Sequence, residues 1–129
     1  MIVHQTPTVS LEYNQAKKQL IQKWTGFSTS EVFRKAIDKT VEFSQANPVH
    51  SIISDTLEQA VVKPEDTQYA SAAMPKLFSH GLKAMAFIMP KDVITKMALD
   101  KFNKESKSDQ INFFPTMKEA QDWIDKMIK

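Results

Sequence analysis

Apolar residues recur along the chain with two periods, and the changes of period divide the sequence into predicted strands and helices. Val9, Leu11 and Tyr13 alternate with polar residues, which is typical of a half-buried strand. A polar turn follows, and residues 19–25 predict a second strand that pairs with the first as an antiparallel hairpin. Trp24 is expected near the end of this hairpin.

The segment after the hairpin has the helical period. Ser28 and Glu31 are spaced as a capping box, which satisfies free backbone amides at a helix start. Apolar and small residues then recur at helical spacing up to Ser44. The helix is expected to end near Asn47, because Pro48 disfavours helical geometry at the residue that precedes it.

The stretch from His50 to Thr67 is the one around which the rest of the chain is organised. Its apolar start, residues 50–54, predicts a buried strand that ends in Asp55 and Thr56. A polar linker follows. In open α/β sheets, ligands and partners usually bind at the carboxyl ends of the strands.

A second helix is predicted to begin at Pro64, because the first helical position needs no amide hydrogen. The acidic residues Glu65 and Asp66 suit the positive end of its dipole. Pro75 is expected to kink this helix or to end its first segment. Gly81 is expected to cap its end.

The remaining elements are predicted from the same signals of apolar periodicity, proline position and helix capping. Residues 82–89 predict a central strand that is apolar on both faces, and Pro90 begins a helix with Met97 on its apolar side. Residues 103–110 are polar and predict a loop. Residues 111–114 predict a last strand, and residues 116–119 form a second capping box before a terminal helix.

The predicted fold class is α/β, in the order β-β-α-β-α-β-α-β-α. Such alternation after a hairpin predicts a mixed, mostly parallel five-stranded sheet with four helices. At 129 residues, the chain is expected to form a single domain over residues 1–129.

Composition narrows the classes of function. A net charge of +2 provides no basic field for nucleic acid. The absence of cysteine excludes disulfides, thiolate catalysis and cysteine-ligated metals. We expect no signal peptide, and no stable membrane insertion, because the longest apolar run, residues 84–90, is too short to span a bilayer. A cytoplasmic protein is expected.

Several short motifs resemble a known family. In chain order, these motifs are residues 20–27 (LIQKWTGF), 54–56 (SDT), 62–66 (VKPED), 74–78 (MPKLF), 81–83 (GLK), 85–87 (MAF) and Trp123. Together with the predicted order, they resemble the sulfate transporter and anti-sigma-factor antagonist (STAS) domains. The likeness is closer to small stand-alone bacterial proteins described as STAS-like or SEC14-like, whose function is unassigned. It covers nearly the whole chain.

The STAS resemblance implies a regulatory role, since the family's best-known members are phosphorylation switches. Their Asp-Ser-Ser-Gly motif places a phosphorylated serine at the start of the helix after the third strand. Here that helix begins with residues 64–68 (PEDTQ), so the motif is absent and Thr67 is the nearest hydroxyl. Glu65 and Asp66 would repel a phosphate at this helix end.

The resulting candidate surface for a partner or ligand contains Asp55, Thr56, Lys63, Glu65 and Thr67. An alternative is that Asp55 only braces the chain after its strand, as Asp commonly does. Asp55 could also pair with Glu65 or Asp66 for acid–base work. No third reactive group accompanies them, so catalysis by this site ranks last and no enzyme activity is expected.

Methionines suggest a second candidate site. Met74, Met85, Phe87 and Met97 lie in the predicted central strand and its flanking helices, and the adaptable methionine side chains can line a pocket for an apolar or lipid-like ligand. Ordinary core filling is the alternative. The three histidines are scattered without ligand spacing, so neither a metal nor another cofactor is expected.

The leading hypothesis from the sequence is a non-catalytic regulatory module that binds an unidentified protein partner. A carrier of a small apolar ligand is the alternative. Trp24, Phe113 and Phe114 are expected on or near sheet edges, where they could support a homodimer or simply pack in the core.

Overall fold

The structure is a computed structural model, and it describes residues 1–60, 62–93 and 110–128. The elements with defined bounds are β1 (Ile2–Gln5), β2 (Val9–Asn14), β3 (Gln19–Gly26), α1 (Ser30–Ala46), β4 (Ser51–Gln59), α2 (Pro64–Ser79), β5 (Ala84–Ile88), β6 (Ile111–Phe114) and α3 (Met117–Ile128). Residues 91–93 are also helical, so the helix predicted from Pro90 begins where expected. Its predicted pocket residue, Met97, lies outside the described residues.

The described residues contain six strands, which form a single sheet in which their spatial order is their order along the chain. β2 runs antiparallel to both neighbours, and the pairs β3–β4, β4–β5 and β5–β6 are parallel. The predicted mixed, mostly parallel sheet is therefore confirmed, but its predicted number of five strands is wrong. The additional strand is β1. Its four residues carry little pattern, and Ile2 is exposed, so pairing with β2 holds it in place.

β4 is longer than the sequence predicts, because it continues through the residues interpreted as a linker. Thr25 pairs with Glu58 and Gly26 with Gln59, after a register shift that begins beyond Lys23. Residues 55–59 are therefore strand, and only a short connection remains before α2. Backbone pairing with β3 overrides the polar composition of this segment, which is the physical reason for the error.

Helices cover both faces of the sheet. The larger apolar cluster joins one face to α1 and α2, through residues such as Leu20, Ile52 and Leu77. A smaller cluster joins the other face to α3, through Ile53, Ala86 and Ile124. The apolar character of β5 on both faces follows from this two-sided cover.

The N-cap residue of α1 lies one position later than the sequence predicts. Thr29 is the N-cap, and its side-chain oxygen accepts a hydrogen bond from the Val32 amide. Ser28 instead donates to the hydroxyl of Thr8 at 2.7 Å, which ties the helix start to the segment before β2. The predicted capping box from Ser28 to Glu31 is therefore wrong by one position.

α2 begins at Pro64, as predicted, and runs through Pro75 to Ser79 without ending there. Gly81 follows with φ +109°, a conformation that favours glycine at a helix end. The second predicted cap is also present, since Thr116 accepts a hydrogen bond from the Glu119 amide just before α3.

A buried carboxylate links the first turns of α1 and α2. Asp66 accepts hydrogen bonds from the Ser30 hydroxyl at 2.7 Å and from Arg34 Nε at 3.0 Å. The Arg34 guanidinium also lies 4.8 Å from the centre of the Tyr69 ring. The hydrogen bond from Ser30 and then the contacts with Arg34 lower the pKa of Asp66, against an opposing effect of burial.

Replacement of the α1 cap should distinguish Thr29 from the capping box predicted by the sequence. Thr29→Ala should lower the free energy of unfolding by about 1 kcal/mol, because the Val32 amide loses its partner. Glu31→Gln is the control and should leave the free energy nearly unchanged, since Glu31 does not occupy the third helical position. Urea unfolding measures both, and a larger loss for Glu31→Gln would contradict the assignment.

Acid should weaken the link between α1 and α2. Because folding lowers the pKa of Asp66 from its ordinary 3.8, its carboxylate stabilises the fold above that pH. This contribution disappears as the pH falls through the lower, folded-state pKa. Asp66→Asn should therefore destabilise the protein at neutral pH, and its deficit relative to the wild type should shrink below about pH 4.

Urea unfolding at a series of pH values measures that deficit. Asp122→Asn, which changes an exposed carboxylate of α3, is the matched control. A deficit for Asp66→Asn that stays constant with pH would contradict the role given to its charge.

Candidate functional site

The carboxyl ends of the parallel strands β3, β4 and β5 lie at the same end of the sheet. Asp55 lies inside β4, before its end at Gln59, and pairs with Lys23 of β3 and with Ile88, the last residue of β5. One carboxylate oxygen of Asp55 is 3.5 Å from Lys23 Nζ, and the other accepts a hydrogen bond from the Leu57 amide at 3.2 Å. The Asp55 side chain is only 12% exposed. These contacts fit the alternative in which Asp55 braces the chain.

Thr56 lies on the opposite face of β4 from Asp55. Its hydroxyl donates to the Ile88 carbonyl at 2.7 Å and borders a cavity under α2. Asp55 lies instead in the row of Ile53, which packs towards α3. The structure therefore separates these two predicted neighbours, because successive side chains of a strand point to opposite faces.

The other three members of the predicted surface lie together at the start of α2. Lys63, Glu65 and Thr67 are all exposed. Lys63 is the N-cap residue and makes no capping bond with its side chain. The Thr67 hydroxyl donates to the Lys63 carbonyl at 3.3 Å. This first turn presents both signs of charge to solvent.

The carboxylates considered for acid–base work have separate partners. Asp55 contacts Lys23, whereas Asp66 is bound by Ser30 and Arg34 of α1. Glu65 is exposed. Each of these two buried carboxylates thus lies beside its own cation.

The histidines lie apart from one another. Burial and nearby lysines lower the pKa of His4 and of His50. His80 Nδ1 lies 2.9 Å from the Ser44 hydroxyl. In the parts of the chain that the structure describes, no three His, Asp or Glu side chains are close enough to share a metal ion.

A cavity of about 290 Å³ lies between the sheet and the helices α1 and α2. Met74, Met85 and Phe87, three of the four predicted pocket residues, line it. Trp24 and Phe33 form another part of its wall, with their rings 5.0 Å apart. The structure thus brings the predicted methionine and phenylalanine residues around one mostly apolar space.

Polar groups on the wall of this cavity are mostly paired within the protein. The Gln22 amide donates to the Thr40 hydroxyl at 2.9 Å, and the Trp24 indole donates to the Ser54 hydroxyl at 3.2 Å. These bonds leave few donors for a polar ligand. The cavity chemistry therefore suits an apolar molecule.

Phe27, at the carboxyl end of β3, is a candidate binding residue that the sequence did not single out. It follows Gly26 at the end of β3, and 57% of it is exposed. It borders the same small cleft as Lys63 and Asp66. The sequence places this aromatic residue after the predicted strand 19–25, but its exposure depends on tertiary packing that no local pattern contains.

The aromatic residues proposed for sheet edges have different positions. Trp24 is buried in β3, an interior strand, so its predicted edge position is wrong. Phe113 and Phe114 lie in the edge strand β6. Phe113 stacks on Phe87 with ring centres 5.5 Å apart, and Phe114 packs on Trp123. A homodimer through this edge stays a prediction.

No helix within the described ranges combines the length and the apolar character that crossing a bilayer requires. No protein-family model and no curated protein sequence matches the chain.

Solved structures resemble this fold over most of its length. One is an uncharacterized protein of the DUF3478 family with a SpoIIAA-like fold from Shewanella loihica PV-4, with a TM-score of 0.63 and 18% identity over 91% of this chain and 92% of that chain. Another is the Bacillus cell fate determinant SpoIIAA in its phosphorylated form, with a TM-score of 0.58 and 15% identity over 91% of this chain and 99% of that chain. The chain thus has a SpoIIAA-like fold, which is the STAS fold that its sequence resembles.

Proposed function

We propose that this protein is a non-catalytic regulatory module that acts by binding a protein partner. The partner surface consists of Phe27 and of three residues at the start of α2, Lys63, Glu65 and Thr67. The observation that carries this proposal is the exposure of the Phe27 ring beside that charged turn. Similarity in fold to a cell fate determinant supports a regulatory role.

The composition of this surface suits recognition. An aromatic side chain that reaches solvent can fill a pocket on a partner, and such anchors commonly carry much of the binding energy. Lys63 and Glu65 place opposite charges next to it, which favours partners with complementary charges and affects the association rate. Asp66 and its contacts with α1 hold this turn in place.

The separate pairing of Asp55 and Asp66 supports a non-catalytic role. General acid–base catalysis depends on a group whose pKa is suited to proton transfer and that can reach the substrate. Asp55 is largely covered, and the Ser30 and Arg34 contacts keep Asp66 ionised.

Truncation of the proposed anchor tests the partner surface. A partner that is captured from the native cells and then purified should bind Phe27→Ala at least about 10-fold more weakly than wild type, because the pocket filled by the ring is left empty. Calorimetry or surface plasmon resonance measures the dissociation constant. The charge reversals Lys63→Glu and Glu65→Lys should mainly change the association rate and its dependence on salt.

Met127→Ala is the matched control, since Met127 is an exposed apolar residue near the end of α3. It should leave the dissociation constant unchanged. Equal effects of Phe27→Ala and Met127→Ala, or no effect of either, would reject this surface.

The cavity favours a second function, the carriage of a small apolar ligand. Its volume of about 290 Å³ lies near the lower end of the range for small-molecule sites, roughly 300–1,000 Å³. An engineered apolar cavity of about 150 Å³ is already large enough to bind benzene. The flexible side chains of Met74, Met85 and Met89 can adapt to different ligand shapes.

Filling the cavity from α2 tests this second function. Ala70 lines the cavity, so Ala70→Trp should occupy part of its volume and abolish binding of 1-naphthol, an apolar bicyclic probe. Ala72→Trp is the matched control, because Ala72 lies on the same helix but does not line this cavity. Its affinity for the probe should equal that of the wild type.

Calorimetry with 1-naphthol measures binding, and native mass spectrometry of freshly purified protein detects any ligand that copurifies. The wild type should bind the probe with one-to-one stoichiometry. Absence of binding to the wild type, or equal binding to Ala70→Trp, would count against the carrier function without affecting the partner surface.

A further inference from the structure

A second cavity, of about 400 Å³, lies at the other end of the strands, where β3 and β4 begin. Its walls come from the turn before β3, the start of β4 and the last two turns of α3. Of the residues that the structure describes, none lines both this cavity and the apolar cavity under α2. Any ligand here would therefore be independent of the apolar site.

In the part of the chain that the structure describes, two buried side chains of this second cavity each have a polar atom without a hydrogen-bond partner. Gln19 and Ser51 are paired residues of adjacent strands, with exposures of 2% and 1%. Within the described residues, neither Gln19 Nε2 nor the Ser51 hydroxyl has a partner. Buried polar groups are nearly always satisfied, so a molecule that binds here would supply what both groups lack.

Charged groups surround this polar pair. Lys17 and Lys18 lie on one wall of the cavity, and Asp125 lies on another, where it accepts a hydrogen bond from Gln121. His50 also lines the cavity, and burial, followed by the ammonium groups of Lys83 and Lys18, lowers its pKa. Cations therefore outnumber the carboxylate around the cavity.

We propose that this cavity binds a small carboxylate that also bears an amino or hydroxyl group, as in a free amino acid or hydroxy acid. Gln19 and Ser51 donate hydrogen bonds to the carboxylate, and Lys17 and Lys18 balance its charge. Asp125 accepts a hydrogen bond from the amino or hydroxyl group. Each part of the ligand thus meets a group of complementary chemistry.

Ile124 gives the same cavity an apolar wall. A short aliphatic part of the ligand, between its polar ends, would pack against this wall. A buried water between Gln19 and Ser51 is the competing explanation. Water would satisfy both groups without requiring the charge of Lys17, and this difference makes the two explanations separable.

Titration by nuclear magnetic resonance tests the proposal. Serine and glycolate should each shift the side-chain amide signals of Gln19 saturably. Ethanolamine, which has an amino and a hydroxyl group but no carboxylate, should not. Lys17→Glu should weaken serine binding by about 10-fold or more, because it replaces a favourable charge with a repulsive one.

Ser51→Ala removes one of the two donors and should also weaken serine binding, by about 10-fold. Lys76→Glu makes the same charge reversal on the exposed side of α2 and is the matched control, with no change in affinity. Lys17 is exposed, so its variant remains a test even if Ser51→Ala disturbs folding.

The absence of saturable shifts with both serine and glycolate would overturn the proposal in favour of a bound water. Equal shifts with ethanolamine, or serine binding that Lys17→Glu leaves unchanged, would also overturn it. None of these results affects the partner surface or the apolar cavity, since both lie elsewhere.

Discussion

Burial of β4 on both faces is the constraint on which the rest of the structure depends. Five consecutive residues of this strand, Ser51–Asp55, are buried, so neither face of the sheet can remain open to water. α1 and α2 cover one face and α3 covers the other. Over these five residues, β4 pairs with a parallel strand on each side.

Because helices cover both faces of the sheet, the candidate binding sites lie at the ends of the strands and in the spaces between the sheet and the helices. The carboxyl ends of the strands carry Phe27 and the charged start of α2. The amino ends carry Gln19 and Ser51, whose Nε2 and hydroxyl lack a hydrogen-bond partner within the described residues. The apolar cavity lies between them on a single face, under α2. Among the described residues, the second cavity shares no lining residue with the other two candidate sites, whereas Thr67 belongs both to the partner surface and to the wall of the apolar cavity.

Local sequence signals predicted the elements with strong periodicity, and they failed where pairing between distant segments decided the structure. The α/β order and the start of α2 at Pro64 were correct, because periodicity and proline geometry act locally. β1 and the end of β4 depend on partners elsewhere in the sheet. The cap of α1 moved to Thr29 because Ser28 bonds to Thr8. The methionines around the cavity followed from their elements, whereas exposure of Phe27 depends on packing that no local pattern contains.

The position of α3 at the far end of the chain has a consequence for synthesis on the ribosome. About 60 residues separate β4 from α3, which corresponds to roughly 3–12 s at typical bacterial and eukaryotic elongation rates of about 5–20 residues per second. During that interval, Ile53 and its neighbours on the same face have no cover from α3. The nascent sheet thus presents an apolar surface to the cell, and translation speed and chaperones become determinants of how much protein reaches the native state.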